Sequence, residues 1–196
     1  MRRHLIVMVK EPRPGRVKTR LGRDIGLVPA AWWFRHQALS VLARLRDPRW
    51  TLSVAVSPDR AGLDSRIWPA DLARIPQGHG DLGARMLRLL RHPAPGPVAV
   101  IGADIPGVTR PRIAEAFDLL GRHDAVLGPA TDGGYWLVGL RRTRAVPPGL
   151  FHGVRWSSAT AMADTIASAP HLDWARAATL SDVDTAADLT PATQSR

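Results

Sequence analysis

Short apolar runs and amphipathic stretches alternate along the chain. Leu5-Ile6-Val7-Met8-Val9 has the length and β-branched content of a buried strand, and it ends in a Pro/Gly loop at 12–15. The amphipathic stretches repeat apolar residues every three or four positions, which places them on one helical face. These patterns predict strands at 5–9, 51–56, 72–75, 98–101, 125–127 and 135–140, and helices at 29–46, 81–91, 109–120, 157–169 and from 185.

This order predicts one α/β domain at residues 1–189, followed by a polar tail at 190–196. We expect a mostly parallel central sheet with helices on both faces and ligands at the carboxyl ends of the strands. With 196 residues and 45% hydrophobic content, the chain can bury the core of one such domain and is short for two.

Composition removes several classes of function. No apolar stretch approaches the ~18 residues of a membrane span and no leader is visible, so we expect a soluble cytoplasmic protein with no membrane partner. The absence of cysteine excludes disulfides, thiolate metal sites and cysteine nucleophiles. The net charge of +10 would suit a nucleic-acid binder, but the basic residues are dispersed. We therefore do not expect nucleic acid as the main partner.

The only two lysines of the chain, Lys10 and Lys18, flank the loop after the first predicted strand. Lysine is a mobile point charge and arginine a rigid fork, so Lys18 and Arg20 offer two ways of holding phosphate oxygens. The loop also contains Gly15 and Arg16. It is not a P-loop, because no glycine directly precedes Lys18. We predict a loop that holds phosphates through side chains; an exposed turn with scattered charges is the alternative.

Acidic residues mark two further places. Asp104 follows the predicted strand at 98–101, at the edge where ligands bind. Asp182 and Asp184 alternate in an extended segment and therefore point to one face. Hard oxygen ligands of this kind suit Mg²⁺ or Mn²⁺ beside phosphates, so we predict a metal held by Asp104 with Asp184 or Asp182. A turn cap at Asp104 and a helix-capping turn at 182–185 are the alternatives.

Two glycine-rich segments are candidates for the remaining parts of a site. Paired glycines let a ligand approach the backbone, and flat aromatic side chains can wall a pocket. A pocket for a sugar or small acceptor would then be formed by Asp132, Gly133, Gly134, Tyr135 and Trp156. The loop Gln77–Gly83 precedes a predicted helix and would contact a nucleobase. A tight turn and a flexible connection are the respective alternatives.

Several blocks in this sequence resemble one known family in the same order. They are KEPRPGRVKTRL, QGHGDLGARM, GADIPGVT, GPATDGGYWLVGL, RWSSATAMADT and SDVDTAADL, and they extend over residues 5–189. The chain resembles small bacterial GT-A-fold, glycosyltransferase-like proteins of the nucleotide-diphospho-sugar transferase superfamily, some of them labelled arsenosugar-biosynthesis glycosyltransferases. More distantly, KTRL, GADIP and DVDTAADL are similar to segments of phospholactate guanylyltransferases, and VDTAADL is similar to the tail of sugar-activating cytidylyltransferases.

The resemblance implies roles for individual residues. In those relatives the basic loop grips a triphosphate and two aspartates hold Mg²⁺, and the corresponding positions here are Lys18, Arg20, Asp104 and Asp184. Gln77 corresponds to a base-reading glutamine in some nucleotidyltransferases. Thr131 departs from the pattern, because many members of the family are expected to have an acidic residue there.

The resemblance and the residues together predict a single GT-A (Rossmann-like) domain that catalyses a divalent-metal-dependent transfer from a nucleotide-activated donor. Lys18, Asp104 and Asp132 are its predicted catalytic residues. The glycosyltransferase version moves a sugar from a nucleotide diphosphate sugar to a small acceptor. The nucleotidyltransferase alternative joins a nucleoside triphosphate to a small phosphorylated acid and releases pyrophosphate. A second alternative is a non-catalytic module that binds nucleotide or nucleic acid.

Overall fold

The computed structural model describes residues 1–91 and 95–189, which are built around one seven-stranded sheet. Its strands are β1 (Arg3–Lys10), β2 (Trp50–Ser57), β3 (Ala73–Pro76), β4 (Val98–Gly102), β5 (Ala125–Pro129), β6 (Tyr135–Leu140) and β7 (Trp174–Arg176). They are arranged in the order β3-β2-β1-β4-β6-β5-β7. Every neighbouring pair is parallel except the two formed by β6, which is antiparallel to β4 and β5. The predicted α/β class with a mostly parallel sheet is confirmed.

Six helices accompany the sheet in the described residues. They are α1 (Thr19–Ile25), α2 (Leu27–Arg44), α3 (Asp59–Leu63), α4 (Leu82–Arg91), α5 (Arg110–Leu119) and α6 (Ala161–Ser168), followed by a 3₁₀ turn at Ala186–Leu189. No helix in this part of the chain combines the length and apolar content that a bilayer crossing requires. The predicted polar tail at 190–196 lies outside the described residues.

Alternate residues of β1 enter two separate cores, one on each face of the sheet. Leu5, Val7 and Val9 pack with buried side chains of α2 and α5, whereas Ile6 packs with those of α4. All four are at most 2% exposed. Burial of such a side chain contributes about 1.5–3 kcal/mol, so a strand with both faces covered is firmly held in the middle of the sheet.

Three connections meet at the carboxyl edge of the parallel strands. β1 and β4 are neighbours, with Met8 opposite Gly102, so the chain leaves both strands at adjacent points. Because β6 runs antiparallel, the turn at 130–134 that precedes it lies at this same edge. A bridge between Ala130 and Leu180 brings the segment after β7 alongside. The topology thus gathers the basic loop and both acidic segments.

Some predicted elements differ from those observed. The short elements α1, α3 and β7 were not predicted. The predicted helix at 157–169 is observed only from Ala161 to Ser168, and Ser157, which was predicted to open it, has a left-handed backbone with φ of 58° and lies outside it. Thr109 occupies the predicted N-cap of α5, but its hydroxyl makes no capping hydrogen bond within the described part of the chain.

Candidate active site

The basic loop delivers Lys18 to the carboxyl edge of the sheet. Two turns, Arg13 N–H to Glu11 carbonyl and Arg16 N–H to Arg13 carbonyl, fold the loop back after β1. Lys18 itself has φ of 45° and ψ of 49°, and its carbonyl accepts the first hydrogen bond of α1 from Gly22 N–H at 2.8 Å. This left-handed residue changes the direction of the chain at the start of α1, next to the buried Val17 and Leu21. As a result the Lys18 side chain is only 7% exposed.

The ammonium group of Lys18 lies among three carboxylates. Its Nζ is 2.7 Å from Asp104 Oδ2, 3.1 Å from Asp184 Oδ1 and 3.8 Å from Asp182 Oδ2. Burial disfavours the charge, but attraction and hydrogen bonding to Asp104 and Asp184 outweigh it and raise the pKa of Lys18 above its ordinary value. The structure therefore brings the predicted phosphate-binding lysine and all three predicted metal ligands into one cluster.

Arg20 reaches the same cluster from outside. Its Nη1 donates to Asp184 Oδ2 at 3.1 Å, on the opposite oxygen from the one that faces Lys18. The Arg20 side chain is 69% exposed. Lys18 is thus enclosed within the cluster, and Arg20 lies at its solvent-exposed side.

The predicted alternation of Asp182 and Asp184 is present in the structure. Val183 between them is buried in a small cluster with Leu21 and Ala30, which turns both aspartates to the other side of the extended segment. The capping alternative also holds locally. Oδ2 of Asp188 accepts hydrogen bonds from the backbone N–H groups of Asp184 at 3.0 Å and Thr185 at 2.7 Å. A capping turn therefore fixes the backbone that carries the carboxylates, a positioning role of Asp188 that the sequence analysis did not assign.

The carboxylates repel one another, and this extends to the turn before β6. Burial raises the pKa of Asp182, and the charges of Asp184, Asp104 and Asp132 raise it further, whereas Lys18 opposes the rise. Asp132 is thus part of the same negative field. Beside it, the hydroxyls of Thr131 and Ser181 lie 3.1 Å apart, so a neutral pair stands where an acidic residue was expected.

In the predicted acceptor pocket, residues 132–134 form a tight turn that is followed by the first residue of β6. Gly133 has φ of 86° and is packed so closely on the backbone of Ala159 that a side chain would collide with it. Asp132 Oδ1 accepts the Gly134 N–H at 2.9 Å, as in a tight turn. Tyr135 packs edge to face with Trp156, at 6.4 Å between ring centroids. The glycines therefore serve the turn, and Asp132 is the exposed acid that this turn presents at the edge.

The environment of Tyr135 disfavours ionisation of its phenol. Its oxygen lies 3.2 Å from the Thr165 hydroxyl, and burial raises the pKa of Tyr135 well above its ordinary value. It remains neutral over the physiological range.

The Gln77–Gly83 loop, which was predicted to contact a nucleobase, makes internal contacts through two of its residues. Gln77 is 3% exposed, and its amide nitrogen donates to the carbonyls of Val9 and Ala55 at 2.9 and 2.8 Å. Gly83 is buried, and a side chain there would meet Phe151 and Trp156 at 2.8 Å. In this structure the Gln77 amide nitrogen and the Cα side of Gly83 make internal contacts, and the roles of both residues toward a base or a phosphate stay predictions.

The remaining predicted phosphate-binding residues are open to solvent. Lys10 ends β1, and Gly15 and Arg16 lie in the following loop; all three are exposed. Gly15 has φ of 75°, a backbone conformation that residues with a side chain rarely adopt. All three lie at the carboxyl edge of the sheet, and within the described residues none of them forms a hydrogen bond with Lys18.

The acidic cluster has the chemistry of a site for a hard cation. In the described residues no three His, Cys, Asp or Glu side chains stand in a ready metal-binding arrangement. The oxygens of Asp104, Asp182 and Asp184 instead surround the Lys18 ammonium. Carboxylate oxygens are the ligands that Mg²⁺ or Mn²⁺ prefers, so Asp104, Asp182 and Asp184 are the residues whose chemistry suits such an ion.

Comparison with known proteins assigns the chain to a family. A family model described as "Uncharacterized protein conserved in bacteria (DUF2064)" matches residues 41–158. The chain belongs to the DUF2064 family. The matched part of this DUF2064 protein includes Asp104 and Asp132 but not Lys18 or Asp184. A search of curated proteins finds no significant match to the sequence.

Solved structures agree with this assignment. A crystal structure from Desulfovibrio desulfuricans G20, provisionally described as a nucleotide-diphospho-sugar transferase, is 30% identical with a TM-score of 0.84 and covers 94% of this chain and 84% of that one. Rv0371c from Mycobacterium tuberculosis H37Rv, solved in complex with manganese, is 14% identical with a TM-score of 0.55, over 96% of both chains. A CMP:2-keto-3-deoxy-manno-octonic acid synthetase complexed with CTP is 10% identical with a TM-score of 0.58, over 95% of both.

The last two likenesses show a shared fold alone, whereas the first is closer. Together the comparisons confirm the family resemblance seen in the sequence, the α/β fold class and the assignment to the transferases.

Proposed function

We propose that this DUF2064 protein is a divalent-metal-dependent transferase that moves a sugar from a nucleotide diphosphate sugar to a small acceptor. One observation carries the proposal: Lys18, enclosed by Asp104, Asp182 and Asp184, lies at the sheet edge where such folds bind ligands. The cluster combines acidic oxygens for a hard cation with basic groups for phosphates.

At the donor end, Asp104 and Asp184 would hold Mg²⁺ or Mn²⁺, and Asp182 is the candidate for a third ligand. The ion, when bound, supplies charge neutralisation at the leaving phosphate. Lys18 and Arg20 would donate to the same phosphate oxygens and so stabilise the leaving nucleoside diphosphate. The manganese complex of a protein with this fold supports the choice of ion.

At the acceptor end, Asp132 is the group available to take a proton. It is exposed, and its turn is rigid because Gly133 is locked against Ala159. We assign Asp132 to orienting the acceptor hydroxyl and accepting its proton as the bond to the sugar forms. Tyr135 and Trp156 form the aromatic side of this end.

Nucleotidyl transfer is the second candidate, and the basic loop favours it. Pyrophosphate as a leaving group needs cations at outer phosphates, and the exposed Arg16 and Arg20 stand near Lys18 in the chain to supply them. The CTP complex of a synthetase with this fold supports the same candidate. Here a small phosphorylated acid would attack a nucleoside triphosphate.

The test begins with binding. A panel of nucleoside di- and triphosphates and nucleotide sugars, with and without Mg²⁺, should contain a ligand that raises the melting temperature, since a ligand at about 100 times its Kd adds roughly 2.7 kcal/mol. Asp104→Asn should weaken Mg²⁺-dependent nucleotide binding while the fold stays intact. Unchanged metal dependence in calorimetry would remove the assignment of the metal ligands.

The reaction itself is decided by what leaves. Asp132→Ala should abolish sugar transfer but leave nucleoside diphosphate binding within about threefold, a difference under ~1 kcal/mol. Release of pyrophosphate from a triphosphate, with every nucleotide sugar left intact, would instead establish nucleotidyl transfer. No response to any nucleotide would favour a non-catalytic module.

A further inference from the structure

The Lys18 ammonium and a divalent cation compete for one place. Nζ is within 3.1 Å of both Asp104 and Asp184, whereas Mg²⁺ binds such oxygens at about 2.1 Å. An ion bound to the same oxygens would lie within about 5 Å of the ammonium, and the like charges would repel in this enclosed position. The lysine and a metal ion therefore compete for the carboxylate oxygens that face Lys18.

Lys18 is built into the site and is not a passing surface contact. Its carbonyl starts α1, its neighbours Val17 and Leu21 are buried, and only 7% of its side chain is exposed. Arg20 is the contrast, because it touches the same Asp184 but is 69% exposed. Removing the buried charge leaves three carboxylates without an enclosed partner, whereas removing Arg20 leaves an exposed carboxylate that water can solvate.

Donor phosphates are the natural means of releasing the lysine. They offer Lys18 new acceptor oxygens at the open side, where Arg20 already stands, and they bring negative charge that favours a divalent ion nearby. We propose that Lys18 is the resident counter-ion of the Asp104–Asp182–Asp184 cluster and excludes divalent metal until the donor phosphates draw it away. This inference rests on the proposed function, since it takes the cluster as the metal site.

The consequence is positive coupling between nucleotide and metal. Each should raise the affinity of the other by the same factor, because binding linkage is reciprocal. The protein with no nucleotide should bind metal poorly, and this keeps the site from being filled by free ions.

The experiment is a Mn²⁺ titration followed by the EPR signal of the free ion. Lys18→Met removes the charge and keeps a side chain of similar shape. Without nucleotide, this variant should bind Mn²⁺ at least about tenfold more tightly than the wild type, within the usual 5–150-fold range of coupling between sites. The matched control, Arg20→Met, should change Mn²⁺ affinity by less than threefold.

Nucleotide diphosphate binding should change in the opposite direction. Lys18→Met should bind UDP, GDP or CDP, whichever raises the melting temperature of the wild type, more weakly, because a phosphate contact is lost. Tighter metal binding with weaker nucleotide binding is not expected of a residue that merely supports the fold. Thermal unfolding gives a further readout: Mn²⁺ should raise the melting temperature of Lys18→Met by several degrees more than that of the wild type.

The double variant Lys18→Met/Asp182→Asn covers the case in which Lys18→Met alone does not fold, because it also removes one of the carboxylates. It should again bind Mn²⁺ more tightly than Asp182→Asn alone. If folded Lys18 variants bind Mn²⁺ no more tightly than their lysine-containing parents, the inference is wrong. If instead Asp104→Asn leaves Mn²⁺ binding unchanged in every background, the proposed metal site itself fails.

Discussion

Gln77 allows a structural role and a base-reading role to be separated by experiment. Its amide nitrogen donates to Val9 of β1 and Ala55 of β2, and the side chain is 3% exposed. Gln77→Met keeps the approximate length and removes both bonds. At about 1 kcal/mol net for each hydrogen bond, the free energy of unfolding should fall by about 2 kcal/mol. For a chain of this size that corresponds to roughly 4–8 °C in Tm.

The assay is urea unfolding, followed by circular dichroism, together with nucleotide binding by calorimetry. Gln37→Met is a matched control, because the Gln37 amide nitrogen is buried without a hydrogen-bond partner in the described residues. That substitution removes an unsatisfied donor and should cost no stability. If Gln77→Met were as stable as the wild type but lost nucleotide binding, the structural role would be refuted and the base-reading role supported.

Three further predictions concern the turn, the phenol and the cap. Gly133→Ala should lower the free energy of unfolding in urea by about 2–4 kcal/mol, because a collision adds to left-handed strain. Gly153→Ala should lower it by only about 1–2 kcal/mol, because Gly153 has φ of 72° but open space around it. Equal losses would contradict the packing of Gly133 on Ala159. Tyr135 is the only tyrosine, so absorbance at 295 nm should show no phenol titration near pH 10 in the folded protein. Because the unfolded phenol ionises near pH 10 and the folded one does so only at higher pH, stability should fall as pH rises above about 10, and Tyr135→Phe should remove that part of the fall. Asp188→Ala should free the backbone of Asp184 and weaken Mn²⁺–nucleotide binding about fivefold in calorimetry, the equivalent of one lost cap; unchanged affinity would show that the capping turn does not position the carboxylate.

Much of the fold was readable from periodicity. The apolar run at 98–101 became β4, and the helical pattern at 29–46 became α2 with its ends displaced by two residues. The short β7 could not be predicted, because Trp174-Ala175-Arg176 has no apolar run and is a strand only through its pairing with β5. The antiparallel placement of β6 between β4 and β5 is likewise a property of the assembled sheet.

The sequence indicated which residues the candidate site contains, but not how they contact one another. Local alternation sufficed to place Asp182 and Asp184 on one face, because Val183 between them is apolar. The contact of Lys18 with these acids was not predictable, because it depends on which groups are nearest once the sheet is formed. The internal roles of Gln77 and Gly83 depend on distant partners, and Phe151, which packs on Gly83, lies far along the chain.

The large separation of the site residues along the chain has a consequence for folding. Lys18 and Asp184 are 166 positions apart, so their contact closes a loop that includes almost every element of the sheet. Closing such a loop in an unfolded chain would cost roughly 4.5 kcal/mol in entropy, too much for one ion pair to nucleate it. The contact must therefore form after the strands have paired. The lysine therefore meets its three carboxylates only once the sheet has brought the two ends of the chain together.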